Sequence, residues 1–260
     1  MTSDTMGRLH SRLGAFSHAP FVVMWVATTF SLTGLAISDT SSAWLMTTLN
    51  PDPRAVSLVQ VASSLPMFLC TLPAGALADM VEPRRFLIIL ETLVVLLMGL
   101  LGAVIFFDRL TPVYLLSTNF ILGIVWSLAS PEWLSTTPLL AVPRDLVGTN
   151  AANSVGYNLS RAVGPAVAGL AIAKLGSCSP YWLFAAADLS SIAALIWWRP
   201  AKKSGLSLTR QRVYCAMRIG VRHAVKNRHL QATMIRTVAV YPFACAYLAL
   251  LPLIARHQPT

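Results

Sequence analysis

Residues 86–107 read FLIILETLVVLLMGLLGAVIFF, an apolar run whose one charged position is Glu91. A helix rises about 1.5 Å per residue, so roughly 20 such residues cross the ~30 Å of hydrocarbon in a bilayer. Backbone groups in lipid have no water to bond, which restricts spanning segments to helices and closed barrels. A barrel strand would alternate apolar and polar residues over about ten positions. This run does not alternate, so it is read as a membrane-spanning helix.

Polar turns bound it on both sides, Glu-Pro-Arg-Arg at 82–85 and Asp-Arg at 108–109. Similar apolar segments cover 21–49, 56–78, 113–142, 152–173 and 181–198, and a seventh covers 238–255. Their connectors carry turn formers: Asn-Pro-Asp-Pro at 50–53, Pro-Arg-Asp at 143–145 and Gly-Ser-Cys-Ser-Pro at 176–180. Of the 260 residues, 55% are hydrophobic and 12% charged, against roughly 25% charged in a soluble domain. The mean hydropathy is +0.63. The expected fold class is an all-α integral membrane protein.

A net charge of +10 raises the question of nucleic acid, and the placement of the basic residues answers it. Fifteen lie on one side of the spans: Arg8 and Arg12, Arg84 and Arg85, Arg144, and ten from Arg199 to Arg236. The other side has four, Arg54, Arg109, Lys174 and Arg256. Cytoplasmic loops carry the lysine and arginine excess, so the N-terminus is expected in the cytoplasm of a multi-pass protein of the inner membrane. The asymmetry accounts for the charge without a nucleic-acid partner.

The interior polar stretch, 201–236, repeats Val213, Ala216, Met217, Gly220, Val221, Ala224 and Val225 at helical spacing, with Arg212, Arg218, Arg222 and Lys226 around the helix. It reads as a basic amphipathic linker on the cytoplasmic membrane surface; a regulatory target helix is the alternative. Cys70, Cys178, Cys215 and Cys245 have no metal-ligand spacing and are read as unpaired. The five histidines all fall in tails or loops, and no phosphate-binding glycine loop is present. No catalytic residue, metal site or cofactor is expected, and the chain is not read as an enzyme. The energy source is then an ion gradient, with the proton gradient favoured, or the gradient of the substrate itself.

The loop after the second span reads GALADMVEPRR from 75 to 85. Gly75 permits close helix packing, Asp79 stands at the cytoplasmic helix end, and Arg84 and Arg85 are placed for charge-assisted bonds. This string resembles the loop signature of the major facilitator superfamily, which acts as a conformational latch between the two halves of the transporter. Gly75, Asp79, Arg84 and Arg85 match it. Met80 stands where a basic residue is common, and Glu82 with Pro83 where Gly-Arg or Asp-Arg is usual, which implies a retuned latch.

In the fifth span Ala152, Gly156, Ser160, Gly164 and Ala168 are spaced by four, a ridge of small side chains that lets a neighbouring helix approach closely. Pro165 removes one helical donor and permits a bend at mid-membrane. The string NSVGYNLSRAVGPAVAG resembles the fifth helix of the superfamily's exporters, whose Gly-Pro motif goes with antiport. In particular it resembles the branch of transmembrane secretion effectors that includes the enterobactin exporter, with Trp44-Leu45, Pro143-Arg144 and Leu250-Leu251-Pro252 adding to the likeness.

Arg161 lies nine residues into its span, about 13 Å by helix rise, where a cation without a partner costs about 3 kcal/mol or more. Asp39, Glu132 and Asp188 are its candidate partners within apolar runs; Glu91 is shallower. Arg161 either ties two helices together or joins a proton- or substrate-coupled ion pair, with Asp39 the favoured proton site. The family commonly has an arginine two residues after the proline of the fourth helix, and Trp133 stands there.

The resemblance implies an N-terminal six-helix half of the major facilitator fold, built of two three-helix repeats. The expected organisation is a cytoplasmic tail at 1–20, this bundle at 21–198, the basic linker at 199–236 and a seventh transmembrane helix at 237–260. The expected function is secondary, proton-coupled efflux of small amphipathic molecules, drug-like or siderophore-like, with the lipid bilayer as the surrounding partner. The chain is expected to need a C-terminal half or a partner chain. A lysophospholipid flippase and a non-transporting truncated membrane protein or interaction subunit are the alternatives.

Overall fold

The computed structural model describes Phe16 and residues 19–78, 82–140, 146–198, 231–232 and 235–240. Six helices occupy this region: α1 (Ala19–Leu49), α2 (Pro53–Ala78), α3 (Pro83–Phe106), α4 (Pro112–Leu140), α5 (Leu146–Leu175) and α6 (Ser179–Trp197). Among the described residues there is no strand. The linker expected at 199–236 lies outside the described residues apart from short helical pieces, and so does the seventh helix beyond residue 240.

Helices α2, α3 and α4 begin earlier than their apolar runs do, and proline explains it. Pro53, Pro83 and Pro112 each occupy the first position of a helix, where the missing N–H is not needed and φ is already helical. The Asp52 carboxylate accepts the Arg54 N–H at 2.9 Å, and the Thr111 hydroxyl accepts the Tyr114 N–H at 3.3 Å, satisfying otherwise orphaned donors. Gly176, at φ +90°, ends α5 in the left-handed conformation that glycine adopts without strain. Three residues later Ser179 starts α6, its hydroxyl bonding back to the carbonyls of Ala171 at 3.0 Å and Gly176 at 2.7 Å.

Four helices are long and apolar enough to cross a membrane over their described residues: α1, α3, the Pro112–Trp133 part of α4, and α6. Each buries only 33–44% of its most apolar window inside the protein. The remainder, including Leu96, Leu100 and Val113, is large apolar surface that water would not tolerate and hydrocarbon does. The fifth helix is more polar because Asn158 and Arg161 interrupt it.

By contacts the chain divides into two compact units. The first comprises Met1–Ser41, Pro83–Leu110 and Ala129–Lys203, and so holds most of α1, the end of α4, and all of α3, α5 and α6. In it Gly34 of α1 lies against the Phe184 ring of α6, and Gly102 of α3 against the Trp182 indole. The second unit comprises Ser42–Glu82, Thr111–Leu128 and Ser204–Thr260. There Gly123 of α4 lies over the Ser63 carbonyl and Pro66 of α2, and the Asn119 amide donates to the Ser42 hydroxyl at 3.3 Å.

Cys70 and Cys178 are free thiols; Cys215 and Cys245 lie outside the described residues.

Candidate functional site

The small-residue ridge of α5 faces α1. Ala152, Gly156, Ser160, Gly164 and Ala168 are all buried, while the residues between them are mostly exposed. Gly156 sits against Thr29 and Trp25, and Gly164 against Ala36 and the backbone of Ile37. Hydrogen bonds stitch the seam. Trp25 Nε1 donates to the Ala152 carbonyl at 2.9 Å, the Ser160 hydroxyl to the Thr29 carbonyl at 3.0 Å, and the Thr33 hydroxyl to Ser160 Oγ at 3.0 Å. Such bonds average about 0.6 kcal/mol each between membrane helices, so close packing of backbones carries the larger share of the association. Residue numbers rise together along both helices, so α1 and α5 run parallel.

Beside this seam stand Asp39 and Arg161. Arg161 is exposed; its Nη1 donates to the Tyr157 hydroxyl at 2.9 Å, and its guanidinium carbon lies 5.6 Å from the centroid of the Tyr157 ring. One helical turn below, Tyr157 thus gives the cation both an acceptor and a π-face. Arg161 also attracts the Asp39 carboxylate. The Asp39 side chain is exposed. It lines an open face of the helix pair and is not enclosed in a core. Pro165, four residues after Arg161 inside α5, cannot donate to the Arg161 carbonyl as a helical N–H would.

The other intramembrane acids go elsewhere. Asp188 is 1% exposed, accepts a hydrogen bond from the Ser31 hydroxyl and meets the Glu91 carboxyl. Glu91 in turn accepts from Trp133 Nε1 at 3.2 Å. Asp188 is therefore engaged with α1 and α3, while Arg161 is brought to Asp39. Glu132 is buried in α4, next in sequence to Trp133. The role of Glu91 was the least visible of these in the sequence. Its signal was present: a lone carboxyl in a 22-residue apolar run is costly and so must be met by something.

The loop arginines are also placed. Arg84 donates through Nε to the Leu195 carbonyl and through Nη2 to the Ile196 carbonyl, both at 2.7 Å. It closes the C-terminal end of α6, where orphan carbonyls and the negative end of the helix dipole favour a cation. Arg85 is exposed, Gly75 lies within α2, and Asp79 is outside the described residues. The second unit has a shallow groove of about 360 Å³ between α2 and α4, lined by Leu58, Val61, Ala62, Leu116, Ser117, Phe120 and Ile121. Its lining is almost wholly apolar and offers no charged group.

Comparison with known proteins gives a consistent result. A family model described as transmembrane secretion effector matches residues 10–260. The chain is 30% identical over 181 residues to the multidrug efflux pump Tap of Mycolicibacterium fortuitum, a match covering 68% of this chain and 44% of that protein. The chain thus spans less than half the length of the curated relative it matches. No solved structure matches significantly.

Proposed function

The chain belongs to the transmembrane secretion effector family of the major facilitator superfamily, and from that premise we propose that it serves proton-coupled efflux of small amphipathic molecules across the cytoplasmic membrane. Membership makes it a membrane transporter and not an enzyme. The observation that carries the finer reading is the Asp39–Arg161 pair, two opposite charges on an accessible face of α1 and α5. A carboxyl that gains a proton weakens its hold on the guanidinium, and one that loses it restores the attraction. Proton binding and charge pairing at this face are therefore linked, which is what exchange of a proton for a substrate requires.

The substrate class rests on the same surface. Aromatic Tyr157, the Arg161 cation and the Asp39 carboxyl together suit molecules with an apolar body and a polar or charged end. The multidrug character of the relative supports drug-like cargo. The arginine distribution supports a cytoplasmic N-terminus, and the latch role of the loop at 75–85 rests on the family signature.

The test is efflux from proteoliposomes under an imposed pH gradient. Asp39→Asn is expected to abolish gradient-driven movement of a fluorescent cationic drug without loss of expression. Retained coupling in Asp39→Asn would remove this residue from the mechanism, and movement of lysophospholipid in place of drug would replace the substrate class.

A further inference from the structure

Two carboxylic acids on neighbouring helices meet inside the first unit. Glu91 of α3 and Asp188 of α6 are 5% and 1% exposed. Each has one donor from a third helix: Trp133 Nε1 of α4 bonds Glu91 Oε1 at 3.2 Å, and the Ser31 hydroxyl of α1 bonds Asp188 Oδ1. The second oxygen of Asp188, Oδ2, is buried and receives no hydrogen bond from a donor group among the described residues. α3 and α6 run antiparallel, Arg84 meeting Leu195 towards one end and Gly102 meeting Trp182 towards the other, which sets Glu91 and Asp188 within about one helical turn of the same level, and the two carboxyl groups act on each other there.

Carboxylate oxygens only accept, so contact between two carboxyls becomes a hydrogen bond only when one of them carries a proton. Without it, two like charges would face each other where little water can screen them. No nearby cation relieves the pair: among the described residues none acts on either carboxyl. Arg84 lies seven residues before Glu91 on α3, about 10 Å along the helix, and is engaged with the end of α6. Arg161 of α5 engages Tyr157 and Asp39. On the remaining elements, Asp39 of α1 stands eight residues beyond Ser31, and Glu132 of α4 adjoins Trp133; neither can supply positive charge.

We infer that Glu91 and Asp188 form a proton-binding site, in which one proton held between the two carboxyls fastens α3 to α6. The site is separate from the accessible Asp39–Arg161 pair and does not depend on transport. Its ligand is the proton, and its occupancy sets whether the interface between the two helices is a hydrogen bond or a repulsion. Glu91→Gln or Asp188→Asn replaces the shared proton by a permanent amide donor, so either variant keeps the contact and loses its sensitivity to pH.

The experiment is infrared spectroscopy of the protein in lipid nanodiscs, without substrate, on the wild type, Glu91→Gln, Asp188→Asn and the double variant. The wild type at neutral pH is expected to show a protonated-carboxyl C=O band that every variant loses. Melting temperature read across the same samples is expected to fall by roughly 5 °C more in the wild type than in the variants as pH turns alkaline. A wild-type spectrum with no carboxyl band that the variants remove, or an equal alkaline fall in all four proteins, overturns the site. Because these readings need no transport, they stand or fall separately from the efflux assay.

Discussion

Arg84 holds the last turn of α6 by the carbonyl of Leu195, at 2.7 Å from its Nε, so the first turn of α3 finishes a helix more than a hundred residues away. Its Nη2 reaches the adjoining carbonyl of Ile196 at the same distance. The planar guanidinium serves two acceptors at once, a geometry that an ammonium does not reproduce.

Arg84→Ala is accordingly expected to destabilise the protein by about 1–3 kcal/mol, the range for hydrogen bonds made by a charged group. Arg84→Lys should recover only part of the loss. Thermal unfolding in detergent checks this, and equal stability of all three proteins would show that the contact contributes nothing.

Glycine positions on α5 separate close packing from mere helix flexibility. A Cβ at Gly164 would collide with the Ala36 side chain and crowd its backbone, whereas one at Gly169 meets nothing within 4 Å. Gly164→Ala should therefore reduce stability, while Gly169→Ala should be neutral or stabilising by up to about 1 kcal/mol, the helix-propensity gain. Opposite rankings in a melting experiment would mean that the α1–α5 seam is not tightly packed.

Tyr157→Phe keeps the ring beside Arg161 and removes the hydroxyl that accepts its N–H at 2.9 Å. A moderate loss of drug efflux, smaller than that of Arg161→Gln, is the expected outcome in the proteoliposome assay. An effect of Tyr157→Phe as large as that of Arg161→Gln would shift the weight from the cation to the hydroxyl.

Orientation is open to a labelling test in whole cells. A cysteine placed near Arg54 should react with an impermeant reagent from outside, and one near Lys202 only after permeabilisation. The reverse pattern overturns the arginine-based topology.

Much of this architecture was legible in the sequence, for definite reasons. Apolar length specifies a spanning helix almost by itself, and spacing by four from Ala152 to Ala168 specifies a face, since both are properties of one helix. The partner of that face was not legible. Nothing local to α5 says that Thr29, Thr33 and Ala36 lie opposite it. The same limit applied to the charges: Asp39, Glu132 and Asp188 were equivalent candidates for Arg161 on one-dimensional grounds. Helix order in space divides them, sending Arg161 to Asp39 and Asp188 to Glu91. Arg84 read as a loop cation, and only tertiary structure brings the end of α6 within its reach.

The short joint at Gly176 has a mechanical result. Its Ser179 hydroxyl welds α5 to α6, and both of these helices grip α1, one through Gly164 and Ser160 and the other through Phe184, Asp188 and Ser191, whose hydroxyl bonds the Ala27 carbonyl at 3.2 Å. The first helix is splinted on two sides by members that are themselves joined. A push delivered to Asp39 is then borne by all three rods together, as a lever is, and is not absorbed by one of them sliding.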